Sequence, residues 1–298
     1  MKSTFTVSII IPSFNRKKYI EQAIQSVLQQ AHPQLHMLKC IVVDDGSNDG
    51  SYEQLSAYHD RGEIHLITHP NYENKGQSAS INLGLRHASG DFICILDSDD
   101  YFAPQKITEQ LDFLIKHPDI GMVYGKGVAV DATGSFLYNT LPDDHIETSD
   151  PNRILLDCYI AIPGGAMIRK TLMDQVGYFN ESYRAAQDHD MALRIFETTK
   201  VAYLNNVAFY YRKHDDSISQ KGLETRWLAG FDILKNAQMR WKYDPTIIRK
   251  RKAVLHYRLS KVRLSQKRIF SAILNLILCS LLDPFRSIKV AFGSAKHK

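Results

Sequence analysis

The residues of the first third that can do chemistry stand in clusters, each directly after a short apolar run. Asp97, Ser98 and Asp99 follow the run FICIL, and in an extended chain Asp97 and Asp99 point to the same side. When two carboxylates lie so close together, their repulsion raises the pKa of at least one of them, unless a cation offsets it. Hard oxygen ligands suit Mg²⁺ or Mn²⁺, which keep positions open for substrate phosphates. The cluster predicts a metal site, with turn and helix-cap chemistry as the alternative.

Two further clusters extend this picture to a nucleotide. Asp45 belongs to an acidic pair in VVDDGSNDGS, after the run KCIVV. The stretch IIPSFNR supplies Pro12, the ring of Phe14 for stacking on a base, and the hydrogen-bonding side chain of Asn15. Together the clusters fit a nucleotide bound across strand ends, with carboxylates at base and ribose and a metal on the diphosphate.

Two later segments carry further signals. Arg212, in YYRKHDD, is a candidate phosphate contact. Gly164 and Gly165 either let a substrate approach the backbone closely or only permit a turn.

The elements that must position these residues alternate between two patterns. Apolar β-branched runs predict strands at 7–11, 39–43, 64–68, 92–96 and 121–125, and amphipathic segments predict helices at 19–30 and 77–87. A helix starting near Ala186, a strand pair within 201–214 and helices beyond Gly222 complete the pattern. Continuously apolar strands are typical of a mostly parallel, Rossmann-like α/β sheet flanked by helices, with ligands outside the carboxyl ends of its strands.

Charge is unevenly spread along the 298 residues. Fifteen Lys/Arg against two Asp/Glu from Arg240 onward give that tail +13 and leave residues 1–239 at −8. The uncharged stretch 269–282 is too short to span a bilayer. A basic segment joined to an apolar one fits an anionic membrane surface, or else a helical bundle packed on the rest of the protein. No nucleic-acid-binding module surrounds the basic residues, so no nucleic-acid partner is expected.

The remaining features bear on location. The four cysteines show no paired spacing, which indicates a reducing compartment. The short apolar run near the N-terminus is too short for a secretory leader. We therefore expect a cytoplasmic protein, attached peripherally at the inner face of the cell membrane if the basic tail binds lipid.

Three long stretches resemble the donor-binding half of glycosyltransferase family 2. They are VSIIIPSFNRKKYIEQAIQSVLQQ, IVVDDGSNDGS and NKGQSASINLGLRHASGDFICILDSDDYFAP, and the likeness resumes at GGAMIRK, QDHDMALRI and YYRKHDDSIS. It covers roughly the first 220 residues. The resemblance implies a GT-A fold at 1–220, with a donor half 1–104 and an acceptor half 105–220, followed by a variable helical region 221–298.

The resemblance also implies roles for individual residues. Pro12, Phe14 and Asp45 would contact the nucleobase, and Asn74, Lys75 and Gly76 would line the donor pocket. Asp97 would lie near the ribose, with Ser98 beside it in the donor site.

Metal and base are assigned in the same way. Asp99, together with Asp97, would hold Mn²⁺ or Mg²⁺, and His214 is either a third ligand or an ordinary packed residue. QDHDMALRI matches a helix-start motif in which Asp188 is the catalytic base, although Asp188 taken alone reads as a helix cap. Gln187 stands where Glu is usual, which removes a negative charge next to Asp188.

The expected activity is therefore transfer of a sugar, with inversion, from a nucleotide-sugar to a hydroxyl of a glycan or lipid-linked acceptor. UDP is the favoured nucleotide, and cell-envelope polysaccharide synthesis the favoured setting. The alternative is a catalytically silent homologue that binds a nucleotide-sugar or acts as a scaffold. A dehydrogenase is disfavoured because no GxGxxG follows the first strand, and a nucleotidyltransferase because PSFNRKK holds no glycine.

Overall fold

Nine strands form one sheet in the part of the chain that the structure, a computed structural model, describes: residues 4–214 and 222–284. The strands are β1 (Phe5–Ser13), β2 (Leu35–Asp44), β3 (His65–Thr68), β4 (Phe92–Ile95), β5 (Tyr101–Phe102), β6 (Ile120–Val130), β7 (Phe136–Asn139), β8 (Ala166–Arg169) and β9 (Lys200–Arg212). The five runs of β-branched and apolar residues expected to form strands all do so.

The sheet order is β3-β2-β1-β4-β8-β6-β9-β5, with β7 paired to β6. β3, β2, β1 and β4 are mutually parallel, and β6 with β9 forms a second parallel pair. β8 runs antiparallel between β4 and β6, and β5 and β7 are also antiparallel to their neighbours. The sheet is therefore mainly parallel, as predicted. The last seven residues of β1 are buried because helices cover both faces, which explains their continuous apolar sequence.

Eleven helices or single helical turns accompany the strands in residues 4–214 and 222–284, besides one short 3₁₀ turn. They are α1 (Ile20–Leu28), α2 (Ser51–Asp60), α3 (Gln77–His87), α4 (Lys106–Lys116), α5 (Pro151–Leu156), α6 (Ile162–Gly165), α7 (Lys170–Val176), α8 (Gln187–Thr198), α9 (Leu223–Arg240), α10 (Pro245–Ser265) and α11 (Ile269–Leu282). Polar loops precede α1, α3 and α8. Residues at or near the N-termini of these three helices contribute side chains to the candidate site.

The strand pair expected within 201–214 is wrong. The segment is one continuous strand, β9, because β6 offers it a parallel partner from Ile120 to Val130 and register shifts absorb the irregular Asn-Asn stretch. A hairpin there would have pointed Arg212 and His214 back along the sheet. The single strand instead carries both residues to the end where β4 stops.

The chain divides into two compact units. The first comprises residues 4–149 and 159–214 and holds the sheet, and the second comprises 150–158 and 222–284. The sequence had grouped 150–158 with the acceptor half, but this short segment, which contains α5, packs with the helical unit.

The helical unit exposes an unusual face. α11 buries only small or polar residues, namely Ala272, Asn275 and Cys279, whereas Phe270 is 84% exposed and Leu281 is 74% exposed. Among residues 4–214 and 222–284, no helix is both long and apolar enough to cross a membrane.

Candidate active site

The site lies in the sheet-containing unit, where β1, β2 and β4 end side by side. Ser13 at the end of β1 is in register with Asp44 at the end of β2, and the amide of Asp45 donates to the Ser13 carbonyl at 2.8 Å. Parallel strands deliver their carboxyl ends to one edge, so the polar residues that follow them meet there. The three predicted clusters therefore converge.

Asp45 is buried and anchors the loop before α3. Its two carboxylate oxygens accept hydrogen bonds from the backbone amides of Lys75 and Gly76, at 2.7 and 2.9 Å. His69 Nε2 lies 3.5 Å from the same carboxylate. The structure thus joins the second cluster to the predicted donor loop, in which the Asn74 and Lys75 side chains are exposed.

Asn15 joins the loops after β1 and β2. Its amide donates to Ser47 Oγ at 2.9 Å, and its side-chain oxygen accepts from the amide of Asn48 at 2.8 Å. Its φ of 53° lies in the left-handed region, a strained choice for a residue other than glycine. Pro12 is buried within β1, and the ring of Phe14 is 41% exposed at the loop tip.

Asp99 is the meeting point of three segments. His214 Nε2 lies 2.9 Å from Asp99 Oδ2, and Arg16 Nε donates to the same oxygen at 3.2 Å. Arg212 donates from Nε to the Asp99 carbonyl at 3.1 Å and from its backbone amide to Asp100 Oδ1 at 2.8 Å. The predicted residues Asp99, Arg212 and His214 are therefore brought together, and the guanidinium of Arg212 is largely used in holding the loop.

Asp97 carries a strongly perturbed carboxyl group. Burial, followed by the negative charges of Asp99 and Asp188, raises its pKa from 3.8 to about 7, against the opposing effects of Gln77 and Arg16. Gln77 Nε2 donates to Asp97 Oδ1 at 2.6 Å. Perturbed carboxyl groups of this kind cluster at functional sites. Ser98, between the two acids, is buried.

Asp188 lies in the first turn of α8, half-buried. The N-cap position belongs to Ala186, whose φ of 65° is left-handed, so Asp188 is not the cap of this helix. Asp190, two residues further along the same first turn, pairs with Arg194, whereas Asp188 Oδ1 accepts a hydrogen bond from the backbone amide of His189 at 2.9 Å. Gln187 donates from Nε2 to Gln77 Oε1 at 2.7 Å, which ties the start of α8 to Asp97.

The carboxylate of Asp99 and the imidazole of His214 are ligand types that Mn²⁺ accepts, and Arg16 donates to the same Asp99 oxygen. Asp99 and His214 supply one oxygen and one nitrogen, and Asp97 stands two residues away. Residues 4–214 and 222–284 contain no group of three or more His, Cys, Asp or Glu side chains converging on one point.

Sequence reasoning missed four residues of the site. Arg16 pairs with Asp99, Gln77 bonds Asp97, Asp100 is buried against Arg212, and the Tyr19 ring lies 4.8 Å from the His214 ring. Arg16 and Tyr19 lie in the stretch PSFNRKKY, so their closeness in sequence to Asn15 could have indicated that they belong to the site. Gln77 follows the loop 74–76 directly.

Comparison with known proteins identifies the family. Residues 8–177 match the family model described as glycosyl transferase family 2. The chain belongs to glycosyl transferase family 2. The match spans β1 to α7, so it includes both carboxylate clusters and the Gly-Gly turn.

Relatives and solved structures agree with this assignment. An uncharacterized glycosyltransferase of Rickettsia bellii is 31% identical over 226 residues, which is 74% of this chain and 32% of that protein. The family 2 chain thus spans about a third of the length of this relative. TarS 1–349 of S. aureus, in complex with UDP-GlcNAc, aligns with a TM-score of 0.69 at 20% identity over 95% of this chain and 82% of its own.

A second solved structure has the same fold. The mannosyltransferase PcManGT of Pyrobaculum calidifontis, in complex with GDP-Man and Mn²⁺, aligns with a TM-score of 0.62 at 18% identity. The alignment covers 98% of this chain and 80% of that one. At these identities the structural likeness establishes the GT-A fold of this family 2 chain.

Proposed function

We propose that the protein transfers a sugar from a nucleotide-sugar to a hydroxyl group, with inversion at the anomeric carbon. One observation carries the proposal: the side chains Asp97, Gln77 and Gln187 are linked in series at 2.6 and 2.7 Å. That link holds the helix start bearing Asp188 next to the strand end bearing Asp97 and Asp99. A base and a phosphate-binding group on opposite sides of one crevice are what an inverting transfer requires.

The donor would lie across the ends of β1, β2 and β4. In this proposal the base stacks on the exposed ring of Phe14, near Pro12, Asn15 and Asp45, and the diphosphate lies near Ser98, Asp99 and Arg212. The two solved structures carry UDP-GlcNAc and GDP-Man, so either nucleotide suits the fold, and UDP remains our first choice.

In the reacting step, the carboxylate of Asp188 accepts the proton of an acceptor hydroxyl. The acceptor oxygen forms a bond to the anomeric carbon while the bond from that carbon to the diphosphate oxygen breaks, and the nucleoside diphosphate leaves with the electron pair. Arg16 offers positive charge beside Asp99 for the leaving group. Mn²⁺ or Mg²⁺ held by Asp99 and His214, with Asp97 nearby, would neutralise the developing charge on the diphosphate.

The exposed face of α11 supports a membrane-bound acceptor. Seven of its large apolar side chains, Ile269, Phe270, Ile273, Leu274, Leu276, Ile277 and Leu281, are between 43% and 84% exposed. The preceding residues 245–268 carry nine Lys/Arg and no acid. Apolar side chains that enter the interface, with a basic segment beside them, are typical of attachment to anionic lipid. We therefore propose a lipid-linked glycan as acceptor, in cell-envelope polysaccharide synthesis.

A second candidate is a silent nucleotide-sugar-binding homologue, and Gln187 in place of the usual Glu is the observation that favours it. The test is release of nucleoside diphosphate from UDP-GlcNAc and GDP-Man, with Mn²⁺ or EDTA, in the presence of membrane lipid extract. Metal-dependent release that is lost in D188N supports the enzyme. Binding without release supports the silent homologue.

A further inference from the structure

Two glutamines form a chain that begins at Asp97 and ends on an unsatisfied oxygen. Gln77 is the first residue of α3 and Gln187 the first residue of α8. Gln77 Nε2 lies 2.6 Å from Asp97 Oδ1, and Gln187 Nε2 lies 2.7 Å from Gln77 Oε1. The residues at both ends, Asp97 and Gln187, are half-buried.

The placement of the amide atoms gives the direction of this chain. Gln77 Nε2 faces Asp97 Oδ1 and Gln77 Oε1 faces Gln187 Nε2, so the Gln77 amide donates to Asp97 and accepts from Gln187. Gln187 must then present its own NH₂ group to Gln77. The one atom left over is Gln187 Oε1, which is buried and has no hydrogen-bond partner among residues 4–214 and 222–284. A buried acceptor without a donor is costly, and because this one belongs to the residue next to Asp188, a ligand hydroxyl in the crevice can supply the donor.

We propose that Gln187 Oε1 accepts a hydrogen bond from a hydroxyl of the donor sugar and that Gln77 is the positioning residue that fixes its orientation. The inference rests on the proposed function and names a specificity-determining contact within it. The donor side is chosen because the chain is anchored on Asp97, and because Gln77 directly follows the loop 74–76 that Asp45 holds.

The residue types at 77 and 187 are therefore coupled. A glutamate at 187 has no N–H to give to Gln77 Oε1. Gln77 would turn its amide to donate to that glutamate, and its oxygen would then face the Asp97 carboxylate, acceptor against acceptor. Glutamine at 187 avoids this conflict, which gives its presence here a physical reason other than loss of activity.

The test compares the affinities of nucleotide-sugars with those of the bare nucleotides. UDP, UDP-GlcNAc, GDP and GDP-Man are titrated with Mn²⁺ into the wild-type protein, Gln187→Met and Gln77→Met, with the exposed Gln105→Met as the control. We expect the wild type to bind one nucleotide-sugar more tightly than its nucleotide. In both site variants the ratio of nucleotide-sugar affinity to bare-nucleotide affinity should fall about tenfold, the scale of one hydrogen bond to a buried group.

Deoxy analogues of the preferred donor identify the hydroxyl. The wild type should bind one deoxy analogue about tenfold more weakly than the parent, and Gln187→Met should bind both alike. An unchanged advantage in Gln187→Met overturns the inference, as does a wild type that gains nothing from the sugar. If affinity is unchanged but turnover falls, the hydroxyl belongs to the acceptor and the donor assignment is wrong. Because this test measures binding, it can disprove the Gln187 contact while transfer activity is present. It can also support the contact while transfer activity is absent.

Discussion

His214 Nε2 lies 2.9 Å from Asp99 Oδ2, although the two residues are 115 positions apart. The contact exists because β9 runs parallel to β6 over its whole length and ends where the loop after β4 begins. This strand pairing brings His214 next to Asp99. Arg16, in the loop after β1, donates to the same carboxylate oxygen. Asp99 and His214 form the candidate metal-binding part of the site, and the first prediction tests it.

Asp99→Ala should abolish metal-dependent nucleotide binding. The change removes the carboxylate that His214 and Arg16 share, so we expect affinity for UDP or GDP with Mn²⁺ to fall at least about tenfold, to the level measured with EDTA. Calorimetric titration measures it. Asp60→Ala, an exposed acid of α2, is the control and should bind as the wild type does. Unchanged affinity in Asp99→Ala with Mn²⁺ would remove Asp99 from the metal site.

Asp188→Asn should keep donor binding and lose transfer. The amide preserves shape but cannot accept the hydroxyl proton, and general bases contribute roughly 10²- to 10⁴-fold to rate. Stopped assays of nucleotide release give the rate, and nucleotide titration gives the binding. Asp190→Asn is a poor control because Asp190 is buried against Arg194. Asp174→Asn is the control, because Asp174 is an exposed residue of α7. An active Asp188→Asn protein would mean that another group is the base.

Asp97→Asn should make the metal-free protein less sensitive to pH. The pKa of Asp97 is raised from 3.8 to about 7, so the folded protein binds a proton more tightly than the unfolded chain, and stability falls as pH rises from about 4 to about 7. Ionising Asp97 in the folded protein lowers the free energy of unfolding by at most about 4 kcal/mol, at about 1.4 kcal/mol per pKa unit.

Urea denaturation at pH 5 and pH 8 in EDTA measures this effect. The wild type should lose more stability between the two values than Asp97→Asn does. Equal losses would show that Asp97 is already ionised at pH 5 in the folded protein.

Gly164→Ala should destabilise the protein much more than Gly165→Ala. A Cβ at Gly164, whose φ is +79°, would lie 2.2 Å from the ring of Phe209, whereas the nearest atom to a Cβ at Gly165 is 3.4 Å away. We expect a loss of about 1–3 kcal/mol for Gly164→Ala and under about 1 kcal/mol for Gly165→Ala. Thermal denaturation of both variants checks this. Similar melting temperatures would mean that the turn can move away from Phe209.

Phe270→Ser combined with Leu281→Ser should release the protein from anionic vesicles. These side chains are 84% and 74% exposed on α11, and each contributes buried apolar area only if the helix enters the lipid interface. Flotation with phosphatidylglycerol vesicles, compared with phosphatidylcholine alone, measures binding. Met239→Ser, an exposed apolar residue of α9, is the control. Binding that persists in the double variant, or a change of oligomeric state instead, would contradict a lipid surface.

Local sequence pattern was enough for the first half of the sheet. β1, β2 and β4 are continuous apolar runs, and the sequence placed Asp45, Asp97 and Asp99 just after the ends of β2 and β4, where the structure also has them. The same reasoning failed at 201–214, because whether a long apolar segment folds back or continues depends on a distant partner. Here that partner is β6, and nothing within the segment itself encodes it.

Side-chain pairing was predictable only where neighbours are close in sequence. The link from Gln77 to Gln187 spans 110 positions and depends on where α8 begins relative to α3. Glutamine also carries no strong sequence signal for a site, since it is common on helix surfaces. The pairing of Arg16 with Asp99 has the same origin, as it joins two loops brought together by β1 and β4.

The most direct measurement of the central claim is a thermal-shift panel of UDP, GDP, CDP and dTDP, each with Mn²⁺, Mg²⁺ or EDTA. A ligand present at about 100 times its dissociation constant stabilises a protein by roughly 2.7 kcal/mol, a readily visible shift in melting temperature. We predict that one nucleotide stabilises the protein with Mn²⁺ or Mg²⁺ and fails to do so with EDTA. If no nucleotide stabilises the protein under any of these conditions, the crevice at the ends of β1, β2 and β4 is not a nucleotide-sugar site.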